Sequence, residues 1–112
     1  MAISISTSSF FHKIPEIESD ASLEIHVLLE NGCCVDGAKV VLYENEHDME
    51  ANTNPVCSEF TNNEGFVLFK NLRDRDYYFF IQKGDFNNSK GILKTWVPLE
   101  PRMKAMLSVK IL

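Results

Sequence analysis

No stretch of this chain approaches the roughly 18 consecutive apolar residues that a membrane-spanning helix needs. Residues 1–20 also lack the basic start and long apolar run of an intact signal peptide. Two expectations follow: a cytoplasmic protein, or one whose export signal lies upstream of these residues and has been removed. Basic clusters are scarce too. Arg102, Lys104 and Lys110 are the densest set, and 16 acidic against 11 basic residues give a formal net charge of -5. Such a surface repels phosphate backbones and anionic lipid head groups, so no nucleic-acid partner is expected. Cysteine is limited to Cys33, Cys34 and Cys57. An odd number cannot pair fully within one chain, and a bridge between neighbours is strained. Three free thiols, or one bridge from Cys33 or Cys34 to Cys57, remain.

The chemistry-bearing residue types are equally thin. The histidines are His12, His26 and His47. None stands in a sequence arrangement that pairs a base with a Ser, Cys or Asp nucleophile, so they read as surface histidines and no catalytic residue is expected. Cys33-Cys34 lacks the spacer that lets two thiolates bind one zinc ion. Glu44, Glu46, Asp48 and Glu50 lack the alternating Asp/Gly pattern of a calcium loop. No Gly-rich strand-to-helix turn offers a phosphate cradle. The expectation is a protein that is not an enzyme and uses no cofactor or metal.

What the chain does have is alternation. Leu23, Ile25, Val27 and Leu29 alternate with Glu24, His26 and Leu28, the pattern of a half-buried strand. Asn31-Gly32 and Asp36-Gly37 are turn dipeptides, because Asn and Gly tolerate positive φ. Ala38, Val40 and Leu42 begin a second alternating run. Residues 44–55 are polar and read as a long loop, with room for one helical turn near His47. Residues 56–61, 66–70, 77–83, 90–97 and 104–112 complete about seven short strands, with Ala105, Leu107, Val109 and Ile111 inward in the last. Residues 1–22 have no clear period and read as an N-terminal arm or linker before a single domain over 23–112. The fold expected is all-β: an antiparallel two-sheet sandwich of Greek-key type.

A specific string joins that alternation: Asn31-Gly32, then Val35-Asp36-Gly37-Ala38-Lys39-Val40, Leu42-Tyr43, Thr61, Glu64-Gly65, Val67, Phe69-Lys70-Asn71-Leu72 and Tyr77. It resembles the transthyretin-like (prealbumin-like) sandwich of carboxypeptidase regulatory-like domains and collagen-adhesin B-type repeats, over residues 23–112. Asn52-Thr53-Asn54-Pro55-Val56 and Lys83-Gly84-Asp85-Phe86-Asn87-Asn88 further resemble small domains of exported Bacteroidetes-type lipoproteins. The resemblance implies a cell-envelope or cell-surface location, with any membrane attachment through a lipid anchor upstream of residue 1. There are departures. Cys33-Cys34 stands where relatives carry a small or polar residue and Pro, and Arg73-Asp74-Arg75-Asp76 stands where many carry Pro-Gly. Residues 105–112 contain no Asn for the isopeptide cross-link of adhesin repeats. The chain also lacks the Tyr-Arg-Gly-Ser ending of the hydroxyisourate-hydrolysing relatives.

If Tyr77, Phe79 and Ile81 face the core, then Tyr78 and Phe80 face out, as do Val41 and Tyr43, and Phe66 and Leu68. An apolar outward patch marks a contact surface. Three covers are open: the arm with Phe10, Phe11 and Ile14; a protein partner or second copy; or a carbohydrate. Tyr43, Tyr78, Phe80 and Trp96 are the candidate binding residues. The function expected is a non-catalytic module in adhesion, assembly or spacing, with a carbohydrate-binding accessory module as the alternative.

Overall fold

A computed structural model describes residues 2–6, 9–15 and 20–112, with side chains from residue 20 onward. The strands in chain order are β1 (Ala2–Ser6), β2 (Ser9–Pro15), β3 (Ala21–Leu29), β4 (Lys39–Tyr43), β5 (Cys57–Phe60), β6 (Phe66–Leu72), β7 (Tyr78–Lys83), β8 (Phe86–Asn87) and β9 (Met103–Ile111), with one helix, α1 (Glu46–Ala51), between β4 and β5. They form two sheets, ordered β1-β2-β9-β3-β6 and β5-β4-β7-β8. The chain is therefore an all-β, two-sheet structure, as the alternation predicts.

The core follows from period two. Leu23, Ile25 and Val27 on β3 stand beside Ala105, Leu107 and Val109 on β9, in register. Val40 and Leu42 on β4 stand opposite Ile81 and Phe79 on β7. All ten are nearly or completely shielded from water. Each large apolar side chain so buried contributes about 1.5–3 kcal/mol. Tyr77, Leu72 and Ile111 join the same cluster. Buried Thr61 ties the ends of β4 and β5 together: its hydroxyl accepts the Ala38 N–H at 2.8 Å and donates to the Val35 carbonyl at 2.6 Å.

Three features differ from the sequence expectation. First, β3 and β9 run parallel, whereas the other pairings are antiparallel. Alternation encodes which face a residue takes, not strand direction. A parallel neighbour needs a long crossover, and here residues 30–102 supply it. Second, residues 90–97 form no regular strand. They touch β7 at one bridge, Tyr78 with Lys94, and the chain turns away at Trp96, whose φ is 73°. Phe86 and Asn87, expected in a loop, instead pair back on β7 through the two-residue turn at Gly84. Third, residues 44–55 hold α1 rather than an open loop. The Asn45 side chain accepts the Asp48 N–H at 2.8 Å, and Asn52 closes the helix at φ 55°. A capping Asn supplies an acceptor to an N–H that a short helix otherwise leaves unpaired.

The arm meets the sandwich in the plane of a sheet. β2 lies antiparallel against β9, with Phe11 opposite Leu107 and Ile14 opposite Lys104, and β1 lies against β2. The side chains of Phe10, Phe11 and Ile14, named above as a possible cover for the outward aromatics, lie outside the described residues. β3 begins at Ala21, two residues ahead of the expected start, and both added residues are buried.

Candidate functional site

The outward face of the four-stranded sheet is fixed by register. Across β4 and β7, Lys39 pairs with Gln82, Val41 with Phe80, and Tyr43 with Tyr78. These are the positions between the buried Val40, Leu42, Phe79 and Ile81, so their side chains point away from the core. α1 folds back over the Tyr43 end, and residues 88–93 rise along β7. Between them lies a groove of about 510 Å³. Val41 and Phe80 form its floor. Met49, Glu46, Glu50 and Asn52 form the wall on the helix side, and Leu93 and Ser89 the opposite wall. Its volume falls in the range of ligand-binding clefts.

The four sequence candidates take different places. Phe80 lies half-buried in the floor. Tyr43 reaches the groove but is only 2% exposed. Its hydroxyl donates to Asn52 Oδ1 at 2.8 Å. The expected exposed contact residue is instead a pillar under α1, because the Asn45 cap turns the chain back over the ring. Tyr78 lies on the same face but outside the groove, with the Lys94 ammonium 5.3 Å from its ring centroid. That ammonium is also 3.2 Å from Asp76. Trp96 is 55% exposed and is not part of the groove. It sits at the centre of a tight turn in which the Val97 N–H donates to the Thr95 carbonyl at 2.8 Å. Glu46, Met49, Glu50 and Asn52 were not foreseen as site residues. The one available sign was Met49, an apolar residue alone in an acidic stretch.

The charges of the groove are separated. Lys39 stands at the Gln82 end and Glu46 and Glu50 at the helix end. Among the described residues none of the three is ion-paired.

One constellation on the other sheet bears on catalysis. The His26 ring stacks on Phe66 with centroids 3.9 Å apart, and its Nε2 lies 3.0 Å from the Glu64 carbonyl and 3.4 Å from Cys34 Sγ. Sequence spacing hid this thiol–imidazole contact, because the turn after Leu29 brings Cys34 back to β3. A carbonyl only accepts, so the bond to Glu64 needs Nε2 as the N–H donor. In that tautomer the same nitrogen is not a base for the Cys34 thiol. His47 is exposed on α1, and the His12 side chain lies outside the described residues. Among the described residues no group of three or more His, Cys, Asp or Glu is placed to hold a metal ion, and no helix is long and apolar enough to cross a membrane. Cys33, Cys34 and Cys57 are all free thiols.

Burial raises the Tyr43 phenol above its ordinary value. Burial also raises Tyr77, with Glu44 adding to it, against the opposing N–H bond from Arg73 and the charges of Arg75 and Arg73. Cys57 is pushed up by burial and then by Glu59. In each case the folded chain holds its proton more tightly than the unfolded chain. The stability these groups give is complete below their ordinary values and is lost as pH rises through the raised ones. The thermal midpoint should therefore fall steadily in alkali, above the ordinary thiol and phenol values of 9.0 and 10.0. Tyr43→Phe should soften that fall. Calorimetry at stepped pH checks it, and a midpoint flat across that window would contradict the assignment.

No known family model matches the chain, and no curated protein is similar to it.

Proposed function

We propose that this chain is a non-catalytic β-sandwich module that holds a protein partner in the groove on the outer face of its four-stranded sheet. The observation that carries this reading is the groove itself: an apolar floor at Val41 and Phe80, walled by a capped helix, with charges at its two ends that have no ion-pair partner among the described residues. The module belongs to the transthyretin-like group and serves adhesion, assembly or spacing on an exported envelope or surface protein. The motif string from Asn31 to Tyr77 supports the group. So does the division of the seven strands from β3 onward into three in one sheet and four in the other. The location rests on the resemblance alone, since a fold does not fix a function.

Random peptides displayed on phage and panned against the folded chain test the binding role. Val41→Arg places a charged side chain in the floor with small cost to the fold, because Val41 is only half-buried. The enriched clones should bind this variant at least about tenfold more weakly, the effect of losing roughly 1.4 kcal/mol of contact. Clones that bind both proteins equally would place the contact surface elsewhere.

Trp96 favours a second reading, carbohydrate binding. Its ring is broadly exposed and held by a rare backbone conformation of the kind found at ligand clamps. A glycan array with Trp96→Ala and Tyr78→Ala as controls decides it: binding that vanishes in either variant supports the sugar reading, and a blank array removes it.

A further inference from the structure

The dimensions and charge layout of the groove narrow what fits it. Lys39, Val41 and Tyr43 lie two residues apart on one strand, so the Gln82 end, the floor and the helix end are spaced by about 7 Å. Alternate side chains of an extended peptide have the same spacing. The middle position is apolar, formed by Val41 and Phe80 with Met49 beside them. The helix end carries Glu46 and Glu50, two carboxylates without an ion-pair partner in the described residues, and Asn52 as a further polar group. The other end carries Lys39, which disfavours a second cation there.

We propose that the occupant of the groove is an extended peptide segment of a partner protein that places an apolar side chain on Val41 and Phe80 and, two residues away, an Arg or Lys side chain against Glu46 and Glu50. This rests on the groove being the binding surface and adds the chemistry of what it binds. Complementary charge sets the direction of the segment as well as its identity, because only one orientation puts its cation at the helix end. A sugar fits less well. Sugar rings favour a broad exposed aromatic face, whereas Phe80 is half-buried among Val41, Met49 and Leu93, and Trp96 is not part of the groove.

The test uses two capped tetrapeptides, Ac-Ser-Leu-Ser-Arg-NH2 and Ac-Ser-Leu-Ser-Glu-NH2, and cellotetraose, each titrated into the ¹⁵N-labelled chain at low salt. The Arg peptide should shift the amides of Val41, Met49 and Phe80 and bind about fivefold more tightly than the Glu peptide. That ratio is what one or two exposed ion pairs supply. The advantage should vanish in the Glu46→Gln/Glu50→Gln double variant, whose amide spectrum also reports that it is folded. It should shrink in high salt, because exposed charges are screened. Equal binding of the two peptides in the groove overturns the charge assignment and leaves the groove as a binding site. Shifts produced by cellotetraose and by neither peptide overturn the peptide assignment. Groove amides that none of the three probes moves overturn both this proposal and the function it rests on.

Discussion

Asn88→Ala should cost about 3–4 kcal/mol of folding stability, as much as removing a large core side chain. Asn88 is 1% exposed. Its Oδ1 accepts the Ile81 N–H at 2.9 Å, and its Nδ2 donates to the Phe79 carbonyl at 3.2 Å and the Ile92 carbonyl at 2.8 Å. This one amide links β7 to the segment that leaves β8, at the point where the ladder has no backbone partner to offer. Alanine removes all three bonds and leaves one N–H and two carbonyls buried. Each orphaned group costs about 1–3 kcal/mol, and relaxation or an entering water recovers part of the sum. For a chain of this size the melting temperature should fall by about 10–20 °C. Urea denaturation gives the free energy directly, and a loss under about 1 kcal/mol would show that the bonds are replaced.

Asn88→Asp sharpens the test, because it keeps the acceptor and swaps the donor for a second oxygen. A carboxylate there faces two carbonyl oxygens in a dry site, so the introduced acid would have its pKa raised by folding. Its folded form is then favoured below the unfolded value of about 4, and that advantage is lost as pH rises. This variant should gain stability on acidification relative to Asn88→Ala.

Asn88 also shows why part of this fold could not be read from the chain. Residues 23–29, 38–43, 77–83 and 104–112 announce themselves, because a sandwich buries one face and period two marks that face. Residues 90–97 read as a strand too, yet only Tyr78 and Lys94 form a bridge there. Nothing in the letters says that Asn88 takes over the hydrogen bonds of a strand, or that Trp96 turns the chain at positive φ. The parallel placing of β3 and β9 is likewise set by how the whole chain crosses over. The candidate site divides in the same way. Its floor was legible, since Val41 and Phe80 are the outward partners of a buried alternation. Its wall was not. Six residues are too few to show a helical period, and α1 owes its place to Asn45, Asn52 and the hydroxyl of Tyr43. Tyr43, one of the four expected contact residues, became the support for the wall.

Gly65→Ala should cost about 3 kcal/mol, and Gly32→Ala only about 1, although both glycines sit at positive φ, 85° and 92°. The backbone penalty for a side chain in that region is about 1–2 kcal/mol and applies to both. The surroundings differ. Around Gly32 an added Cβ meets nothing within 4 Å, whereas at Gly65 it would lie 2.8 Å from the Val27 carbonyl and 3.2 Å from the Val35 nitrogen. Those two atoms are themselves hydrogen-bonded at 3.0 Å, and the Val27 N–H donates to the Gly65 carbonyl at 2.8 Å. A methyl group at Gly65 therefore wedges into the link between β3, the Cys34 turn and the hairpin leading into β6. Both partners are backbone, so neither can swing aside as a side chain would. The same shift would pull Glu64 from His26, so the imidazole signals of His26 should move in Gly65→Ala and stay in place in Gly32→Ala. The groove lies on the other sheet, and the folded fraction of Gly65→Ala should bind the Arg tetrapeptide as the parent does. Equal denaturation midpoints for the two variants would show that the backbone at Gly65 yields, and the link would then be weaker than its distances imply.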